Sequence, residues 1–406
     1  MQKAVVINTG SELVEGRTLN SNAKYICEKL AERGFVVKKV LMLDDDLDLI
    51  SSTVSQELLD NDLLIITGGL GPTEDDKTRE AVAKALNRSL YVDQELANKI
   101  LDRVKKYYSK IPENIVKQAE VIEGAKVIPN EVGTAPGQLI ELPGKKIVIL
   151  PGPPQELIPM FEKIVNDLKA SEDLIIVVMT FFGIPESVID ETISQLEPSK
   201  EIKVTTQATY DNGVKVRLIA NKSISCKVNE FAEKLIKKFK EAFVGFGDLK
   251  LEEVVVNLLK ERGKKLAVAE SCTGGLISSR IVSVPGASQV FLGSVVAYDN
   301  DVKIKVLGVS SDTLKKFGAV SQECAMEMAL GIEKLTGADI CVAVTGIAGP
   351  TGGTVDKPVG TVYIAVKYEN NCQVIRLFYP HERNIFRMRI SGHALFEVVK
   401  RLKGMI

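Results

Sequence analysis

Histidine is almost missing from this chain: among 406 residues only His381 and His393 occur. A mechanism built on a histidine base or a multi-histidine metal centre is therefore close to excluded. Cysteine is present but unpatterned. Cys27, Cys226, Cys272, Cys324, Cys341 and Cys372 form no C-x-x-C spacing, which fits reduced thiols better than a zinc site or a disulfide frame. Charge of one sign is lacking as well, with 52 basic residues against 53 acidic ones and a formal net charge of −1. No large field points to nucleic acid or an anionic membrane, and neither a basic stripe nor an aromatic platform is visible. Long apolar runs are absent too. The longest, Leu174 to Phe182, falls far short of the ~20 residues that cross a bilayer. The first ten residues enter an apolar strand-like run directly, without the layout of a secretory signal. The expectation is a soluble cytoplasmic protein that binds small molecules at local sites, with neither membrane nor nucleic acid as a partner.

A hydrophobic content of 45% with 26% charge is the balance of a globular protein, and the length calls for two or three domains. The first segment alternates strand and helix: strand Lys3–Asn8, helix Asn20–Arg33, strand Phe35–Leu43, helix Leu49–Leu59, strand Leu63–Thr67, helix 77–87, strand Lys146–Leu150 and a helix from Pro154 to about Leu168. Apolar strands separated by helices predict a parallel sheet covered on both faces. The polar stretch Asn166 to Asp173 marks a boundary. A smaller α+β piece follows, with strands 174–182, 202–209 and 214–220, helices 186–196 and 226–242, and an Asn212-Gly213 hairpin signal. It carries no visible site chemistry and reads as a spacer or dimerisation module. Beyond a second boundary near Gly245 to Lys250, helix 251–262, strand Lys265–Ala269, helix 276–282, strands 290–297, 339–345 and 360–367, and helices 321–336 and 382–402 predict a second α/β domain. The predicted fold class is α/β: two α/β domains, 1–168 and 250–406, joined by a small α+β middle domain, 174–246.

Gly-rich turns at strand ends are natural anion sites, because glycine lets backbone N–H groups approach a ligand at a helix N-terminus. Thr67-Gly68-Gly69-Leu70-Gly71-Pro72-Thr73-Glu74-Asp75-Asp76 is such a turn, with hydroxyls on Thr67 and Thr73 and with Asp75 and Asp76 able to hold a divalent cation. An alternative reading of the same residues is a plain helix start with Thr73 as N-cap and acids in the first turn. Gly133-Thr134-Ala135-Pro136-Gly137 and Pro151-Gly152-Pro153-Pro154-Gln155-Glu156 are comparable rigid turns. None matches the P-loop or dinucleotide spacing.

Together with Gly10-Ser11-Glu12-Leu13, Gly16 and Asn20-Ser21-Asn22, these stretches resemble the competence-damage inducible CinA family. The resemblance implies a first domain with the molybdopterin-binding-protein fold, acting as an ADP-ribose pyrophosphatase that yields AMP and ribose 5-phosphate. Gly10, Glu12, Asn20, Asn22, Thr67, Gly68, Gly69, Gly71, Thr73, Gly133, Thr134, Gly152, Pro153 and Glu156 would then bind substrate. A divalent metal would be held by Asp44, Asp75 and Asp76. The resemblance continues through Ala269-Glu270-Ser271-Cys272-Thr273-Gly274-Gly275, Pro285-Gly286-Ala287-Ser288, Tyr298-Asp299-Asn300 with Lys303, Gly318–Ser321, Thr345–Pro350 and Lys357–Gly360. It implies a cofactor-free nicotinamide-mononucleotide amidohydrolase, in which Ser271 is nucleophile and Lys303 proton acceptor, with Tyr298 and Thr345 in the catalytic set. Thr273, Gly274, Gly275, Ser288 and Gly346 would line the substrate, and Arg383 and Arg387 would take its phosphate. A homodimer is expected.

Elementary chemistry is compatible with that assignment. Amide hydrolysis needs a nucleophile, a proton acceptor and an oxyanion stabiliser, and with so few histidines a Ser-Lys pair is the natural option. Other readings of the same residues remain open. Ser271 before a helix can be a cap, Lys303 a solvated surface residue, Cys272 either an alternative nucleophile or a small buried residue, and Arg383 and Arg387 a solvated helix face.

Overall fold

The computed structural model describes residues 2–105, 113–168 and 174–405, and divides into two compact units, Met1–Leu174 and Ile175–Ile406. The expected boundary at Asn166 to Asp173 lies, from residue 169 onward, outside the described residues. Among the described residues no helix is long and apolar enough to cross a membrane.

The first unit is built on strands β1 (Lys3–Thr9), β2 (Val36–Leu43), β3 (Leu63–Thr67), β4 (Leu90–Val92), β5 (Glu120–Ile122), β6 (Ala125–Ile128), β7 (Gly137–Leu142) and β8 (Lys145–Leu150). Six of them form one sheet in the order β2-β1-β3-β8-β7-β6, while β4 and β5 pair separately. The first four run parallel, as expected, but β7 and β6 are antiparallel additions. Alternation along the strands explains why both faces are covered. Ala4, Val6, Leu63, Ile65, Val148 and Leu150 face helices Ser21–Glu32 and Pro154–Val165, and Val5, Ile7, Leu64, Ile66, Ile147 and Ile149 form the opposite core. Each of these buried Val, Leu and Ile side chains contributes about 1.5–3 kcal/mol of transfer free energy.

The second unit holds two sheets. Strands β9 (Leu174–Phe181), β10 (Lys203–Thr209), β11 (Gly213–Asn221) and β12 (Phe243–Phe246) form one, in the order β10-β11-β9-β12. The predicted helix 226–242 stops earlier, as Ser225–Lys238, and the chain turns at Phe239 to give β12, whose Phe243 packs on Phe181. Strands β13 (Leu266–Glu270), β14 (Phe291–Val296), β15 (Ile340–Gly346), β16 (Thr361–Tyr368) and β17 (Asn371–Phe378) form the other, in the order β14-β13-β15-β16-β17. Here too the first three strands are parallel and the last two antiparallel. One face is built from small residues, Ala267, Ala269, Ala343 and Ala365, which let helix Gln322–Thr336 lie close; the other carries larger residues such as Leu266, Val268, Val342 and Val344.

Candidate functional sites

Register decides which loops meet. In the first unit, Asn8 is opposite Thr67, Thr67 is opposite Leu150, and Thr9 is opposite Leu43, so the loops after β1, β2, β3 and β8 emerge at one edge. They enclose a cavity of about 730 Å3, and of the fourteen residues assigned to substrate all but Gly133 line it. Gly133 stands just behind, because a Cβ there would fall 1.9 Å from Glu156 Oε2.

The glycines of the main loop are sterically required. Gly68 and Gly69 have φ of +99° and +62°, and a Cβ on Gly68 would fall 2.2 Å from the Thr9 carbonyl oxygen. The loop is closed from below by two side chains. Asp76 accepts from Gly71 N and Thr73 N, both at 2.8 Å, and from Thr73 Oγ1 at 2.5 Å. Arg79, fully buried, donates to the Leu70 carbonyl at 2.9 Å and the Gly71 carbonyl at 3.1 Å. Thr73 is therefore no helix N-cap; the helix begins at Thr78. The sequence signal for Arg79 is a charge on the same helical stripe as buried Val82 and Ala83.

Three expected contacts change role. Asn20 caps helix Ser21–Glu32 by accepting from Ala23 N at 3.0 Å. Thr67 Oγ1 is buried and donates to Asn8 Oδ1 at 3.0 Å. Asn22 Nδ2 holds the Gly152 carbonyl at 2.6 Å, leaving its buried Oδ1 unpartnered. The expected metal set is corrected as well. Asp44 does not line the cavity; its neighbour Asp45 does, and the Ser11 hydroxyl holds the Asp44 carboxyl below its usual range. Burial raises the Asp45 carboxyl, with Glu12 and Asp44 adding to the shift against hydrogen bonds from Ser11. Among the described residues no group of three or more His, Cys, Asp or Glu is arranged to hold a metal ion. Among the described residues the lining carboxylates Glu12, Asp45, Asp75, Asp76 and Glu156 nevertheless outnumber the one lining base, Arg17. Such a wall suits a polyanion only if a cation comes with it.

In the second unit Glu270 pairs with Val296 on one side and Val344 on the other, so the loops after β13, β14 and β15 share an edge. Between them lies a cavity of about 210 Å3 lined by Ser271, Cys272, Tyr298, Asn300, Lys303, Ala319, Val320, Thr345, Gly346, Ala348 and Arg383. Ser271 is not a cap. The helix starts at Leu276 after Gly275, and its end is satisfied by Glu270, which accepts from Gly275 N, Ile277 N, Ser278 N and Ser278 Oγ at 2.5–3.1 Å. Glu270 is fully buried, and its place just before a helix start was the available signal for this role. The Gly274 N–H is also spent, on the Ser271 carbonyl at 3.1 Å. The N–H groups of Cys272 and Thr273, not those of the glycines, are the ones left without a hydrogen bond among the described residues.

Lys303 is no surface residue. It is 1% exposed on the short helix Asn300–Lys305, and Nζ donates to the Ala297 carbonyl at 2.8 Å and the Tyr298 carbonyl at 3.1 Å. Burial lowers the pKa of its amine. A neutral amine has two N–H bonds and one lone pair, so these two acceptors hold both hydrogens and leave the lone pair free. Burial also raises the Cys272 thiol to about 12, which makes it inert near neutrality. Thr345 Oγ1 donates to the Ala319 carbonyl at 2.7 Å and so fixes the opposite wall.

Five assignments move: Thr273, Gly274, Gly275, Ser288 and Arg387 do not line the cavity, the first three because the loop turns away from it toward the helix start at Leu276. Ser288 is exposed and precedes β14, at the amino edge of the parallel strands; it is thus at the far end of the sheet from Ser271. Arg387 does not line the cavity, because Nε and Nη2 are committed to the Thr273 carbonyl at 3.2 and 2.9 Å. Arg383 does line it, bonded to the Gly349 carbonyl and the hydroxyl of Tyr298, both at 2.8 Å. His393 is buried against Phe182 and bonded to the Tyr379 hydroxyl at 2.7 Å; burial, with Arg389 and Lys400 nearby, lowers its pKa to about 3.

Comparison with known proteins is consistent along the chain. Residues 5–170 match the model of a probable molybdopterin binding domain, and residues 248–402 match the CinA C-terminal domain. A CinA-like protein of Pseudothermotoga lettingae is 48% identical over 406 residues, covering 100% of both chains. Another, of Thermotoga neapolitana, is 52% identical over 404 residues, covering 99% of each. The crystal structure of competence/damage inducible protein CihA from Agrobacterium tumefaciens is 39% identical, covers 38% of this chain and 93% of that chain, and has a TM-score of 0.37. With relatives this similar from end to end, the chain belongs to the CinA-like family.

Proposed function

We propose that the second unit hydrolyses the amide of nicotinamide mononucleotide, giving nicotinate mononucleotide and ammonia. The observation that carries this reading is the buried Lys303 amine, held by two carbonyls in the same cavity as Ser271. Ser271 Oγ adds to the carboxamide carbon while its proton passes to Lys303 Nζ. The carbon–nitrogen bond then breaks, and the nitrogen leaves as ammonia with that proton. Water adds to the acyl ester and gives a proton to Lys303, which returns it to Oγ as the carbon–oxygen bond breaks and Ser271 is released. The free N–H groups of Cys272 and Thr273 suit the developing oxyanion. Arg383, with the exposed Tyr298 at its side, is the cation available to the substrate's phosphate.

For the first unit we propose a nucleotide-diphosphate site that cleaves ADP-ribose to AMP and ribose 5-phosphate. Gly68, Gly69 and Gly71 bring backbone to the diphosphate. Glu12 and Asp75 are the lining carboxylates with no hydrogen-bond partner among the described residues, and with Asp45, which accepts from Ser11 N at 3.0 Å, they would hold a divalent cation that polarises the phosphorus–oxygen bonds. A second reading, binding without turnover, is favoured by Asp76 being spent on its own loop. The same proposal includes a cytoplasmic homodimer acting on small nucleotides, and light scattering at micromolar concentration checks the dimer.

Mass-spectrometric product analysis with both substrates tests these readings. Ammonia and nicotinate mononucleotide are expected from the first substrate, and their loss in a folded Ser271→Ala variant. Full activity in that variant would refute the Ser-Lys mechanism. AMP formation is expected to stop on chelation; nucleotide binding with no AMP under any metal would establish the non-catalytic reading of the first unit.

A further inference from the structure

The hairpin turn between β10 and β11 belongs to the sheet that the sequence marks as a spacer, yet it is tied to three helices of the Ser271 domain. Gly213, at φ +85°, lets the turn press on β9, since a Cβ there would fall 2.1 Å from the Phe181 carbonyl oxygen. Asn212 Oδ1 accepts from Leu251 N at 3.1 Å, the first residue of helix Leu251–Arg262, and from Arg280 Nη2 at 3.0 Å. The Asp211 carbonyl accepts from the same Arg280 nitrogen at 3.2 Å. Arg280 completes its fork on Glu252, through Nη2 at 2.7 Å and Nε at 3.2 Å, and on Ser391 Oγ at 2.9 Å. A Cβ on Gly392 would fall 2.6 Å from the Asp211 carbonyl oxygen, so only glycine lets the last helix come this near the turn.

Two of the anchored helices hold the walls of the pocket. Helix Leu276–Val282, which carries Arg280, begins at the loop that Glu270 clamps beside Ser271. Helix Arg383–Leu402, which carries Ser391 and Gly392, presents Arg383 to the cavity and holds the Thr273 carbonyl through Arg387. Arg280 and Glu252 are each 10% exposed, so the planar fork is fixed in a low-dielectric setting where a lost partner is costly.

We infer that the turn Asp211–Gly213 is a positioning element of the Ser271 pocket, with Asn212 as its key side chain. The inference rests on the amidohydrolase reading for its activity test, and on nothing but the geometry for its structural test. A 1.5 Å rise per residue puts Gly275 about 7.5 Å along the helix from Arg280, so a shift at the fork displaces the loop start.

The experiment uses the full chain with Asn212→Ala, and with Asn212→Asp as the conservative variant that keeps an Oδ1 acceptor. Asn212→Ala is expected to lower kcat for ammonia release on the order of tenfold with KM within about twofold. It is also expected to accelerate amide hydrogen exchange in the segment 271–278 while leaving helix Gln322–Thr336 protected, and Asn212→Asp is expected to restore both. Unchanged kcat together with unchanged loop exchange overturns the inference, as does faster exchange spread evenly over the unit. If the wild-type protein releases no ammonia, the amidohydrolase reading fails, and selective exchange in 271–278 alone decides for or against the positioning role. Should Asn212→Ala not fold, Asn212→Ser, too short to reach Arg280 but compatible with a turn, carries the same expectation.

Discussion

The two units each place a Gly-rich loop between a parallel strand and a helix, but the loops are closed from opposite ends. In the first, Asp76 reaches back from downstream to Gly71 and Thr73. In the second, Glu270 reaches forward from the strand end to Gly275, Ile277 and Ser278. The first arrangement leaves an open cavity of about 730 Å3 with carboxylates around its wall. The second leaves about 210 Å3 around one buried amine whose hydrogens are held by carbonyls. Similar local architecture thus yields a wide carboxylate-lined cavity in one case and a small cavity around a desolvated amine in the other. What separates them is the group that tertiary packing brings to the loop.

The largest effect that would sharpen this contrast is expected at Ser271. Ser271→Ala should reduce ammonia release by about a thousandfold or more, with an unchanged circular dichroism spectrum and no effect on ADP-ribose turnover. Lys303 supplies the next test. Burial lowers its pKa from the ordinary 10.5, and in the proposed mechanism the neutral amine is the acceptor, so activity should rise with pH through a midpoint below that value. Lys303→Met should abolish the activity and the rise together; a midpoint at the ordinary lysine value would break the comparison.

In the first unit, Asp76→Ala frees the N–H groups of Gly71 and Thr73 and loosens the loop. ADP-ribose affinity, read by calorimetry, should fall on the order of tenfold, with ammonia release unaffected. The corresponding Glu270→Ala in the second unit leaves one buried and two half-buried N–H groups unpaired and should cost about 2–4 kcal/mol in denaturant unfolding of that unit. Asp76, partly exposed, should cost less.

The smallest effect concerns acid. His393 has a pKa of about 3 in the fold against an ordinary 6.5, so below pH 6.5 the unfolded chain takes up a proton that the folded chain refuses. Stability of the second unit should therefore fall as pH drops from about 6.5 toward 3, a slope that His393→Gln should flatten in pH-dependent melting.

Much of this was legible in the residues. Strands Leu63–Thr67 and Lys146–Leu150 announced themselves as apolar runs ending in glycine or proline, and both the antiparallel turn at Asn212-Gly213 and the helix from Leu251 were predicted from local chemistry. Short elements were not. β12, β17 and the helices Asn300–Lys305 and Ser311–Phe317 lack a long period, and their conformation depends on the sheet or loop they pack against. Ser288 was misplaced because sequence adjacency to a motif says nothing about which edge of a sheet a loop occupies. Arg387 was misread for a related reason: an arginine on a helix face can serve a ligand or a backbone carbonyl, and only its neighbours decide.

The Gly-rich loops, the scarcity of histidine and the order of motifs by themselves pointed to two strand-end candidate sites and made a base other than histidine the natural option for amide chemistry. The family resemblance named Lys303 for that role, and tertiary structure decided that its amine is buried. Its six-residue helix gives no burial signal, and the amine loses its water only when helix Gln322–Thr336 packs on the alanine face of the sheet and the β14 loop turns its carbonyls inward. Desolvation is a property of everything around a residue, so no stretch of sequence near Lys303 could have stated it.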